Sequence, residues 1–186
     1  PTVRRALTVS SGAVLNNDDI YGKLKAEEEI AALERLSSNK NVTILRAYSV
    51  SGPFVRRPES YAFSEFVLSA FEGIIRVRAN RPVFRRYNSI SDLLSVGLLL
   101  ADSGWSGILE SGGELIEMRD LAERIRRCVN ADARVIHEPH VTEEPEIYAS
   151  DGTDWVRACQ ELGFQEQSLD NQIQCVQDYF GSPSTS

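Results

Sequence analysis

Residues 3–50 read VRRALTVSSGAVLNNDDIYGKLKAEEEIAALERLSSNKNVTILRAYSV. An alternating, β-rich run from Val3 to Ser10 leads into a charged helical segment, Ile20 to Leu36. Ile20, Leu24 and Ala31 fall on one row of that helix, and Ala26, Ile30 and Leu33 on the next. Asp18 or Asp19 can cap its start. Ser37 to Asn41 turns, and NVTILRAYSV is a second, strongly apolar strand. Strand, helix and strand joined this closely form a βαβ crossover, which predicts a parallel sheet with helices on its faces.

Gly52-Pro53 closes that unit. Phe63, Phe66, Val67, Ala70, Phe71 and Ile74 then recur at helical spacing, with Gly73 as terminator. IIRVR, a turn at Ala79 to Arg81, and PVFRRY are expected to pair as an antiparallel hairpin. Ser91-Asp92 opens a leucine-rich helix to Ala101, and GILES is a short strand. Met118, Leu121, Ile125 and Val129 mark another helix, and RVIHE a brief strand. Helices around Asp154 to Leu162 and Leu169 to Phe180, parted by Gly163, finish the chain before a frayed tail, 181–186.

With 186 residues, 42% of them hydrophobic, the chain has apolar surface for a globular core. Its longest apolar runs fall far short of the roughly 20 residues of a membrane span, and the lack of an apolar h-region before a cleavage site gives no expectation of a secretory signal. Cys128, Cys159 and Cys175 lack C-x-x-C spacing and read as boundary or core thiols of a reducing cytoplasm. A net charge of −7 argues against nucleic acid as the main partner. The arginines nevertheless crowd: Arg76, Arg78, Arg81, Arg85 and Arg86 follow Arg56 and Arg57, which suits a small anionic ligand. Arg76 and Arg78 alternate on one strand face and read as solvated. His137 and His140 lie in a proline-broken acidic loop with no fixed tetrahedral geometry, so no metal is expected.

Tyr21 and Lys25, four apart on a helix, share a face. A neighbouring ammonium favours the phenolate and makes a phenol usable as proton acceptor or donor. Ser10 and Ser11 lie at the C-terminal end of the first strand, where ligands bind in such sheets. Against this, Y-x-x-x-K is common by chance, and Lys25 with Glu29 can form an ordinary surface pair.

In order, VSSGAV, YGKLKAEEE, ILRAYSVSGP, FRRYNSISDL and GILESGGELIEMRDLAERI resemble the NAD-dependent epimerase/dehydratase family, extended short-chain dehydrogenases that act on nucleotide sugars. The resemblance runs over residues 1–180 and closes with DWVRACQELGF. It implies Ser11, Tyr21 and Lys25 as catalytic residues, with Tyr21, Lys25 and Tyr48 against the cofactor. Ser49 would touch substrate, and Arg85, with Arg86 as fallback, would hold the nucleotide diphosphate, a task suited to arginine's fork of donors. The fold it implies is the C-terminal half of a Rossmann-like doubly wound parallel sheet, α/β, with a small α+β substrate-binding lobe. Residues 1–55 and 88–112 would belong to the sheet, with strands Val3–Val9, Val42–Tyr48 and Ile108–Glu110. Residues 56–87 and 113–180 would form the lobe.

Departures accompany the likeness. Only nine residues separate Ser11 from Tyr21, where the family has a longer loop, and Ser49 and Ser51 stand where it usually has asparagine and tyrosine. No G-x-x-G-x-x-G occurs anywhere. The expectation is a C-terminal fragment short of on the order of a hundred residues, three βαβ-type units. Its parent would use NAD or NADP on a nucleotide-diphosphate sugar, while the fragment binds no cofactor and is silent. The open edge of the first strand predicts a homodimer or swapped assembly. The alternative is a non-catalytic nucleotide-sugar or protein-binding module on the same scaffold.

Overall fold

The computed structural model describes residues 4–16, 19–36 and 41–181. The opening unit consists of β1 (Arg5–Ser11), a 3-10 turn (Gly12–Leu15), α1 (Ile20–Leu36) and β2 (Asn41–Ala47). β1 lies parallel to β2, with Ser11 opposite Ala47, so the crossover forms as the pattern predicts. Asp19 caps α1, its Oδ1 accepting from the Tyr21 N–H at 3.1 Å; Asp18 and the tail 182–186 lie outside the described residues.

The chain continues through β3 (Ser49–Ser51), α2 (Ala62–Phe71), β4 (Ile74–Val77), β5 (Val83–Ser89) and α3 (Ile90–Ser103). Next come β6 (Gly107–Glu110), β7 (Glu114–Glu117), α4 (Met118–Val129), β8 (Arg134–His137) and β9 (Glu146–Tyr148). α5 (Thr153–Leu162) and α6 (Leu169–Gly181) close it. The main sheet has the order β1-β2-β6, all parallel, so β2 is central and β1 is an edge among the described strands. Val42, Thr43, Ile44 and Leu45 are buried accordingly. This is the α/β parallel arrangement read from the sequence.

Two apolar clusters hold the molecule. Leu45 and Leu109 of the main sheet pack with Leu93, Val96 and Leu100 of α3 and with Trp155 and Ala158 of α5. A second cluster joins Phe63, Phe66 and Val67 of α2 to Ile75 and Val77, Tyr87, Leu121 and Ile125, and Ile173 and Val176. It underlies a mixed sheet, in which β5 runs parallel to β3 and β9 and antiparallel to β7.

The expected arginine hairpin does not form. β4 pairs in parallel with β8, while β5 belongs to the mixed sheet. Pro82 lacks the N–H that a hairpin ladder would use, and its carbonyl accepts instead from the Glu146 N–H at 2.8 Å. β4 turns Ile75 and Val77 into the second cluster and gives its edge to β8. β3, β7 and β9 were not foreseen, being three or four residues long and too short to show a period.

α1 is helical as patterned, but its rows do not face the core. Ile20, Leu24, Ile30 and Leu33 are between 41% and 75% exposed, while Glu29 is buried. Among the described residues no helix is long and apolar enough to cross a membrane.

Candidate active site

Ser11 ends β1 and is nearly buried. Its Oγ accepts from the Ala13 N–H at 3.2 Å, which starts the 3-10 turn, and lies 3.4 Å from Tyr148 Oη. The next residue must be small. A Cβ on Gly12 would stand 2.5 Å from the Tyr48 ring, so this glycine lets Tyr48 close over the end of β1.

Tyr21 and Lys25 stand together on the first turns of α1. Lys25 Nζ is 6.0 Å from the Tyr21 ring centroid, at the limit of a cation–π contact. The ammonium also donates to Glu28 Oε2 at 2.7 Å. That hydrogen bond, opposed by partial burial, raises the Lys25 pKa and keeps the side chain charged at neutral pH. Glu29, the other acidic neighbour, points elsewhere: it is buried against Arg46.

The Arg46 fork grips Glu29, Nε to Oε1 at 2.9 Å and Nη2 to Oε2 at 2.7 Å, and reaches Glu110 at 3.5 Å. Burial pushes the Glu29 carboxyl up, but the hydrogen bonds and charge of Arg46 outweigh it and hold the pKa below its ordinary value. Glu110 accepts from Tyr48 Oη at 3.0 Å. Burial, with the Glu110 charge next, raises the Tyr48 pKa, so this phenol remains a donor. Its ring packs at 5.1 Å on Tyr148.

Tyr48, Ser49 and Arg85 line one cavity of about 240 Å³ with Tyr61, Phe63 and Tyr87. Arg85 and Tyr87 also wall a neighbouring cavity of about 250 Å³, bounded by Phe66, Arg76, Arg78 and Met118. Arg85 thus stands between two spaces. Arg86 does not share that position: its guanidinium donates to the carbonyls of Ser150 and Gly113, at 3.1 and 2.8 Å. Arg78 pairs with Glu65 at 2.9 Å, and Arg76 is exposed. Ser51 is buried and donates to Gln172 Oε1 at 2.6 Å, a packing role.

The candidates therefore fall into two groups. Tyr21 and Lys25 form one, and Tyr48, Ser49 and Arg85 the other. Ser11 joins the second through Tyr148; its hydrogen bonds go to Ala13 and Tyr148, not to Tyr21. Tyr148, Glu110 and Glu146 were not picked out from the sequence. Tyr148 and Glu146 sit on a three-residue strand after an acidic, proline-broken run, where no periodicity marks them. Among the described residues no group of three or more His, Cys, Asp and Glu side chains converges as a metal site.

No family model matches this sequence, and no curated protein matches it. Solved structures do match. UDP-glucose 4-epimerase from Thermotoga maritima, with UDP-glucose, superposes at a TM-score of 0.76 and 18% identity, over 95% of this chain and 63% of that one. The NAD-dependent NDP-hexosamine 5,6-dehydratase TunA, involved in tunicamycin biosynthesis, gives 0.74 at 16% identity, over 97% and 64%. RMD from Pseudomonas aeruginosa, complexed with NADPH, gives 0.74 at 15%, over 94% and 65%. The chain shares its fold with these epimerase and dehydratase structures. The chain spans 62–66% of the length of these structures and of five more that match it.

The donors on α1 suit the hydroxyls of a cofactor ribose, since a charged Lys25 has N–H groups beyond the one given to Glu28. The glycine pair at 112–113 does not suit a pyrophosphate. A Cβ on Gly112 would stand 2.0 Å from the Trp155 ring, and one on Gly113, at φ +98°, would stand 1.8 Å from the Tyr87 carbonyl oxygen. Both glycines serve close packing.

Proposed function

We propose that these residues supply the substrate-holding and proton-handling part of an NAD(P)-dependent enzyme that epimerises, dehydrates or reduces a nucleotide-diphosphate sugar. The observation that carries this is Arg85, set between two adjoining cavities with Tyr48 and Ser49 in one of them. Such a layout suits a ligand with a ring at each end and a diphosphate in the middle, where a guanidinium binds best. Ser49 would contact the sugar.

The bound nicotinamide would supply the hydride acceptor or donor. Tyr21 takes or returns the proton of the sugar hydroxyl through its Oη, and its ring stands beside the Lys25 ammonium on the same helix face. Lys25 would also donate to the cofactor ribose, and Tyr48 would stand beside the nicotinamide. Ser11 Oγ donates to the sugar oxygen as charge develops there. A second copy, or a swapped one, covers the β1 edge and the exposed apolar face of α1.

A second reading is favoured by one contact. Ser11 is engaged by Ala13 and Tyr148, as befits a nucleotide-sugar or protein-binding module with no chemistry of its own. Calorimetric titration with UDP-glucose tests the part common to both readings. Binding that is lost in Arg85→Gln is expected; equal affinity in the variant would remove the diphosphate assignment.

A further inference from the structure

Both terminal nitrogens of Arg85 are already engaged within the chain. Nη1 donates to the Phe84 carbonyl at 3.0 Å and Nη2 to Glu146 Oε1 at 2.5 Å. The Tyr148 ring covers the same guanidinium, its centroid 5.6 Å from Cζ. The register explains this convergence: β9 runs parallel to β5, with Glu146 opposite Val83 and Tyr148 opposite Arg85. One short strand therefore brings a carboxylate and an aromatic face to one arginine.

We propose that Glu146 is a built-in occupant of the anion position on Arg85, so that a ligand diphosphate binds there by displacing it. The inference rests on the reading of Arg85 as the diphosphate residue. A carboxylate and a phosphate take the same edge of a guanidinium through the same N–H groups. The Glu146 side chain is 50% exposed and is free to swing into water, while that of Arg85, at 23%, is held between the cavities. A displaced carboxylate beside a diphosphate would be repelled, so the exchange is complete rather than shared. Glu146 then sets a threshold. Ligands carrying several negative charges on adjacent phosphates displace it, whereas single carboxylates meet an equal competitor already in place.

The experiment is calorimetric titration of UDP and inorganic pyrophosphate into the full chain and into Glu146→Gln, Glu144→Gln and Arg85→Gln. Glu144 is exposed two residues away, so its variant reports the general effect of losing one negative charge nearby. The expected result is that Glu146→Gln binds UDP about three-fold tighter or more, the scale of a half-exposed ion pair, with a smaller change in Glu144→Gln. Equal or weaker binding in Glu146→Gln would overturn the inference, since Glu146 would then be orienting Arg85 for the ligand. An equal gain in Glu146→Gln and Glu144→Gln would also overturn it. Undiminished binding in Arg85→Gln would remove the underlying assignment, and no binding by any form would overturn both.

Discussion

Tyr21 and Lys25 stand on a helical face held by one ring contact and one i,i+3 ion pair, and Tyr21 is 52% exposed. A short distance along the same helix, Glu29 is buried and locked to Arg46, and contacts run on through Glu110, Tyr48 and Tyr148 to Ser11 and Arg85. The two regions differ in how many partners fix each side chain. Residues that must exchange protons with a ligand gain from spare donors and acceptors. Residues that shape a cavity gain from having none, because each added partner narrows the rotamers available. The same chain holds a loosely fixed pair and a locked network, and substitutions should separate them by what they change.

The largest loss of stability is expected at Glu29. Glu29→Ala leaves Arg46 without its main partner in a partly buried place, and should cost about 3 kcal/mol, read from urea unfolding. A loss under about 0.5 kcal/mol, the range of ordinary surface substitutions, would show that this pair does not brace α1. The pH dependence follows with a defined sign. Since the folded Glu29 pKa lies below 4.5, its contribution is full above that value and fades as pH falls through the lower folded value. Glu29→Gln should flatten that part of the acid limb; an unchanged limb would contradict the assignment.

Tyr48→Phe comes next. It removes the hydroxyl that donates to Glu110 and leaves the ring on Tyr148, so a loss of about 1 kcal/mol is expected in the same unfolding experiment. Tyr21→Phe should be the smallest, within about 0.5 kcal/mol, because the hydroxyl stands on an exposed face. If Tyr21→Phe destabilised more than Tyr48→Phe, the contrast between the two regions would fail.

Much of this arrangement was legible in the sequence. The crossover unit was, because VRRALTVSS and NVTILRAYSV differ in period from the helix between them. The pairing of Tyr21 with Lys25 on one face followed from spacing alone. The hairpin misled, because local sequence marks strands but not their partners, and Pro82 sends β5 to other neighbours. Glu29 looked like a surface partner of Lys25, since nothing local shows that Arg46, seventeen residues on, arrives from the adjacent strand. Tyr148 and Glu146 were hidden for the same reason: their meaning lies in the strand they pair with.

The most direct test of the central claim is nucleotide-sugar turnover by the whole protein carrying Tyr21→Phe, with UDP-sugar binding measured beside it. The account predicts that turnover is abolished while binding stays within about two-fold of wild type, as for an interaction made only in the transition state. Turnover at the wild-type rate in Tyr21→Phe would contradict it, because the proton would then be moved by a group other than Tyr21.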